Sequence, residues 1–324
     1  MMICSEVTVM AETRTDRWTH PATILVATDL SDLDRLMPHA YAMASETGAR
    51  LLLMHVLQAT ATLTVDAVGM PYYDRESAVE CAERMLKPWC EHARGLGVEC
   101  EALIRDGHAA QQVISAARQF NADRLLLATR SRTKLGSLLL GSVARQVLRS
   151  VKLPVITVGP EAHLPVDDSN RQRTVLYATS LGETSRPSAA LACHVAASQA
   201  AKLVLLHVLA PVDEKELKVP PTEMDAAAAR ELRRLAEETG EGCRTVVETK
   251  VVHGNPAIEI LAEAAASHAS LIVLGATQRS VFESLTRDRT VYRVLAHARC
   301  PVLTLREPDA KAEHVEAEAM AAQG

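Results

Sequence analysis

Short apolar runs rich in Val, Leu and Ile alternate along the chain with longer stretches whose apolar residues recur at helical spacing. "TILVATDL" (23–30), "RLLLMHVL" (50–57), "RLLLATRS" (124–131) and "LPVITV" (153–158) place hydrophobic residues on both faces, as strands of a covered parallel sheet require. Between them lie "LMPHAYAMASETG", which stops at Gly48, the longer "DRESAVECAERMLKPWCEHARGLG", expected to kink at Pro88, and "AAQQVISAARQF" after Gly107. Strand and helix alternate throughout, which predicts a doubly wound α/β unit.

The pattern then recurs in the same order. "TVLYATSL" (174–181) answers the first strand block 151 residues later, "KLVLLHVL" (202–209) the second, and "SLIVLGATQ" (270–278) the third. "CPVLTL" completes the set, with Pro301 standing 147 residues after Pro154. The intervening helices are expected in "RPSAALACHVAASQA", "TEMDAAAARELRRLAEETG" and "NPAIEILAEAAASH". The chain therefore reads as two copies of one unit: a Rossmann-like α/β domain with a roughly five-stranded parallel sheet flanked by helices. We divide it into an N-terminal extension (1–20), domain 1 (21–160), a polar linker (161–172), domain 2 (173–307) and a flexible acidic, Ala-rich tail (308–324).

At 324 residues the chain is long enough for two such cores, and 48% hydrophobic residues with 23% charged is globular composition. Aromatic residues are only 3% of the chain, so the cores must be aliphatic and base-stacking platforms are unexpected. A net charge of −5 argues against a nucleic-acid or anionic-membrane partner. Seven cysteines in no CxxC or metal-ligand pattern read as reduced thiols of a cytoplasmic protein. The first residues carry Glu6 and Glu12 and no long apolar core, unlike a signal peptide or membrane anchor.

A strand ending in Asp ("ILVATD"), the strand "LLLMHV", "IRDG" before the third helix, and a loop leading into "LLLGSVARQVLRSVKLPVITV" resemble a universal stress protein (UspA-like) domain. The resemblance spans both copies. Its ATP-binding members carry Gly, two residues, Gly, nine residues, then Gly-Ser or Gly-Thr. Here Ala128 and Ser131 stand at the first two glycine positions, with nine residues before Gly141 and Ser142. Gly141, Ser142 and Val143 open a helix whose free N–H groups and dipole suit a phosphate. Ala128 lacks the backbone freedom of the glycine it replaces. From Arg124 to Pro160 there are seven cations, Arg132 and Lys134 among them, and no acid, a positive field for a polyphosphate. The resemblance places Asp29 beside adenine and ribose, although an N-cap role fits an Asp there equally. It also implicates Val56, Ile104 and Gly107 around the adenine, with core positions the competing reading for Val56 and Ile104 and a turn for Gly107.

In the second copy these positions become Ser180, Gly275, Gln278, Asp288 and Arg289. An aspartate at the phosphate position repels the ligand, so the resemblance implies ATP, with Mg2+ as its companion, in domain 1 only. His55 and His207 sit at matching places in apolar runs, as satisfied core histidines do, and His253 has no visible carboxylate partner. The family resemblance allows slow ATP hydrolysis or autophosphorylation at Ser142 or Ser137, but no general base is evident. The implied protein is a stress-response regulator that signals to a protein partner. Its "PVITVGP" and "PVLTLRE" edge strands serve domain pairing or a homodimer. The rival readings are an interaction module without nucleotide and an adenine-nucleotide hydrolase-type enzyme, whose SGGxDS loop is missing from "TDLSDLDR".

Overall fold

A computed structural model describes residues 17–58, 63–65, 71–129, 140–163, 172–182, 185–211, 220–240, 243–276 and 289–306. They divide into two units, one through residue 158 and one from 159 onward. The first contains β1 (Thr23–Thr28), α1 (Leu33–Thr47), β2 (Arg50–Leu57), β3 (Leu63–Val65), β4 (Pro71–Tyr73), α2 (Arg75–Gly95) and β5 (Cys100–Asp106). It continues with α3 (Ala109–Gln119), β6 (Arg124–Ala128), α4 (Ser142–Ser150) and β7 (Val155–Val158). Five parallel strands run in the order β7-β6-β1-β2-β5. β3 and β4 form a separate antiparallel ribbon that the hydrophobic pattern does not announce.

The second unit repeats this plan with β8 (Thr174–Ala178), α5 (Ser185–Ser198), β9 (Lys202–Leu209), α6 (Pro221–Gly240) and β10 (Val247–His253). Then follow α7 (Pro256–Ala266), β11 (Ala269–Ala276), α8 (Arg289–His297) and β12 (Val302–Arg306). Its parallel strands run β10-β9-β8-β11-β12. Each unit buries the expected aliphatic runs, with Leu25, Val26, Leu51 and Leu53 fully enclosed in one and Leu176, Leu203 and Leu205 in the other.

Local chemistry sets the element ends. Gly48 adopts φ +72° after α1 and its N–H returns to Ala44 O, the left-handed stop that favours glycine. Asp74 caps α2 by accepting from Ser77 N at 3.1 Å, a bond that holds its carboxyl below the usual aspartate range. α2 runs on through Pro88. Asn255 caps α7 in the same manner, with Pro256 as the first helical residue. A matching clamp fastens the last residue of each unit's third parallel strand, β5 or β10, to the preceding helix. Arg75 donates Nε and Nη2 to Asp106 at 3.0 and 2.8 Å. In the second unit the polarity is inverted, and His253 Nε2 donates to Asp225 at 2.8 Å. Asp225 corrects the expectation that His253 has no carboxylate partner; it lies 28 residues upstream and is delivered by helix packing.

Four cysteines also depart from the expectation of reduced thiols. Cys90 and Cys100 form a disulfide from α2 to β5 with Cα atoms 5.1 Å apart, and Cys193 and Cys243 form another at 5.9 Å. Separations of 10 and 50 residues carry no motif signature, because only the packed fold brings the thiols together. Cys300 stays a buried free thiol, pushed up to about 12 by burial, and Cys81 is exposed.

Candidate functional site

The chain leaves β1 toward β2 and β5 on one side, while β6 and β7 lie on the other. The residues that follow β1 and β6 therefore stand at adjacent strand ends whose connections lead to opposite sides, the place where such sheets form their ligand crevice. Asp29 follows β1 directly and Ala128 ends β6, so the fold brings these two predicted residues to the two lips of one crevice.

Asp29 is exposed, and its Oδ1 accepts from Ser31 N (3.0 Å) and Ser31 Oγ (2.6 Å). Oδ2 has no partner among the described residues and is open to a ligand hydroxyl or amine. Asp29 is not the helix cap, because Asp32 occupies that position. Between them Leu30 adopts φ +74°, and its N–H donates to Thr28 Oγ1 at 2.9 Å. The second copy keeps this arrangement, with Leu181 at φ +58° donating to Thr179 Oγ1 at 3.0 Å. A leucine held in the left-handed region is strained, and its recurrence fixes the shape of this lip in both copies.

Two residues of this lip were not anticipated from sequence. Burial pushes the Asp32 carboxyl up to about 6, and the Asp29 charge adds to the rise. The Thr28 hydroxyl, which donates to Asp32 Oδ1, and the Arg35 charge oppose it without cancelling it. Arg35, in the first turn of α1, sends Nη2 across the crevice to the Thr129 carbonyl at 3.4 Å. Arg35 and Asp32 lie in a short charged run, "SDLDR", that has no motif signature.

The remaining predicted residues lie at two further places. Val56 is buried in β2 and Ile104 half-buried in β5, one register step apart. Gly107 turns out of β5 at φ +120° while its N–H donates to Leu57 O at 3.0 Å. This turn needs glycine for its backbone. Gly141 precedes α4 with φ −58° and ψ 152°, and no side chain caps the helix. Exposed Ser142 and half-buried Val143 follow, and no acid stands in the first turn. The N–H groups that open α4 have no helical acceptor, the arrangement that holds phosphate. Thr129 N is already bonded to Val158 O at 3.0 Å and offers nothing to a ligand. Ser131, Arg132 and Lys134 lie outside the described residues, as do Gln278 and Asp288 of the second copy.

In the second unit Ser180 is exposed in the place of Asp29. Arg186, the counterpart of Arg35, instead donates Nε and Nη2 to Glu238 of α6 at 2.9 and 3.0 Å. The two central histidines are structural: His55 Nδ1 donates to Thr28 O at 3.0 Å and His207 Nδ1 to Thr179 O at 2.9 Å. Each ties the ends of two neighbouring strands together.

A separate cleft of about 310 Å³ in the first unit is lined by Arg17, Arg118, Lys152 and Asp123. It faces the carboxyl ends of α3 and α4, whose carbonyl dipoles disfavour an anion.

Comparison with known proteins agrees with this architecture. The model of the universal stress protein family matches residues 22–159 and again 172–306. A universal stress protein of Thermus aquaticus is 35% identical over 138 residues, 42% of this chain and 97% of that one. A solved universal stress protein from Archaeoglobus fulgidus superposes with a TM-score of 0.68 at 22% identity, covering 89% of this chain and 97% of that one. At that identity the likeness carries the fold alone. A solved universal stress protein in complex with cAMP covers 42% of this chain and 98% of its own at 19% identity, but its TM-score of 0.35 carries no argument here. Among the described residues no helix is long and apolar enough to cross a membrane.

Proposed function

The chain belongs to the universal stress protein family, and from that premise we propose that its first unit binds an adenine nucleotide, ATP with Mg2+, in the crevice between β1 and β6. The observation that carries this reading is the open amino end of α4, uncapped and free of acid. Phosphate oxygens find N–H donors there, and Asp29 Oδ2, without a partner among the described residues, offers an acceptor to adenine or ribose. Val56, Ile104 and Gly107 frame the adenine in this reading. The second unit is a partner that binds no nucleotide, and occupancy of the first biases an assembly or conformation read by a protein partner or a second copy of the chain. An interaction module without nucleotide is the second reading. It draws support from Ala128 in place of glycine and from the engaged amide of Thr129.

Gly141→Asp separates the two. Gly141 has an ordinary negative φ, so aspartate can take its backbone and the change adds chiefly side-chain charge to the cradle. Acid extraction of purified protein identifies any nucleotide carried through purification. Titration of ATP with magnesium is expected to give about one site per chain in the wild type and a loss of binding of at least about tenfold in Gly141→Asp. Absence of binding by wild type at millimolar ATP overturns the proposal in favour of the interaction module.

A further inference from the structure

The same arginine is committed in one unit and uncommitted in the other. Arg186 presents Nε and Nη2 to both oxygens of Glu238, a bidentate pair that uses the planar fork of the guanidinium fully. Arg35 occupies the matching place, seven residues after the threonine that ends the strand's loop turn in each copy (Thr28 and Thr179). Its Nε is buried and has no hydrogen-bond partner among the described residues. Its single hydrogen bond among the described residues is the long one to the Thr129 carbonyl, and although its charge acts on Asp32, no carboxylate there comes within ion-pair distance of it. A buried donor left without an acceptor costs about 1–3 kcal/mol, more on a charged group, unless something in the crevice completes it. The missing partner has the chemistry of an oxyanion, placed where β1 and β6 diverge.

Resting on the reading that this crevice takes a nucleotide, we infer that Arg35 is the anion-recognition residue of the first unit and donates to a phosphate oxygen of the ligand. The contact makes the site selective for phosphorylated nucleosides over bare ones. Arg35 also holds Thr129, the first residue after β6, through Nη2, so one guanidinium links the ligand's phosphate to the root of the loop. The second unit lacks the device because Glu238 already neutralises Arg186.

The test is calorimetric titration of the full chain with Mg-ATP and, separately, with adenosine, in wild type and Arg35→Gln. The expected result is a loss of ATP affinity of about tenfold or more in Arg35→Gln with adenosine affinity unchanged within about twofold, the scale of one charge-assisted hydrogen bond. Arg35→Lys, which keeps the charge and loses the fork, is expected to fall between the two. Equal ATP-to-adenosine preference in wild type and Arg35→Gln overturns the inference while leaving the nucleotide reading intact. Parallel loss of both ligands also overturns it, by making the arginine structural. A wild type that binds neither ligand removes the nucleotide reading itself, and the role of Arg35 with it.

Discussion

Replacing Asp32 by Asn removes a half-buried carboxylate while keeping an oxygen that can accept from the Thr28 hydroxyl. In the folded chain burial holds this carboxyl at about 6, against 3.8 for an ordinary aspartate. The unfolded chain thus ionises it first as pH rises, and stability is lost between about pH 4 and about pH 6, with the deficit constant above that. At about 1.4 kcal/mol per pH unit, the deficit at neutral pH is about 3 kcal/mol. The advantage of Asp32→Asn over wild type therefore grows from about 1 kcal/mol near pH 4.5 to about 3 kcal/mol near pH 7. Urea unfolding followed by tryptophan emission measures this cleanly, because both tryptophans, Trp18 and Trp89, lie in the first unit. Wild-type and variant stabilities that stay parallel across that pH range would refute the reasoning, and would mean that the Asp32 carboxylate is solvated well enough to ionise normally.

Reducing the two disulfides opens loops spanning 10 and 50 residues, which on chain-entropy grounds lowers stability by about 3 and about 4 kcal/mol. Melting with and without reductant, beside mass mapping of linked peptides from non-reduced protein, checks both the pairing and its size; unlinked peptides throughout would sink it. Gly107→Ala must adopt φ near +120° and sets its Cβ about 3.3 Å from Gln112 Nε2, so a loss of about 1 kcal/mol or more is expected in the same urea assay. A neutral Gly107→Ala would show that the turn relaxes.

The architecture was legible in the chain because it is local and repeated. Apolar runs such as "TILVAT" and "TVLYAT" are buried on both faces, so they read as central strands without reference to anything distant. Gly48 marked a helix end for a reason contained in its own backbone, and α3 and α7 fell where their periodicity placed them. What escaped notice depends on residues brought together across the fold. Cys193 meets Cys243 only after α5 and α6 have packed, and His253 meets Asp225 by the same route. Arg35 and Asp32 acquire their character from burial and from Thr129, 94 residues beyond Arg35. Asp29 stands out in the sequence because it directly follows a strand, but its turn with Ser31 is a feature of side-chain rotation rather than of spacing.

Two near-copies of one fold in a single chain face a hazard during folding, since a strand from one can dock beside the helix of the other. The inverted clamps at Asp106 and His253 oppose that error. In the proper pairing Arg75 meets an acid and Asp225 meets an imidazole. Exchange the partners, and Asp106 confronts Asp225 while Arg75 confronts His253, so neither wrong pairing forms an ion pair and one brings two carboxylates together. Reversal of sign at a shared position thus gives each half a clamp of different chemistry, and an exchanged pairing forfeits both contacts.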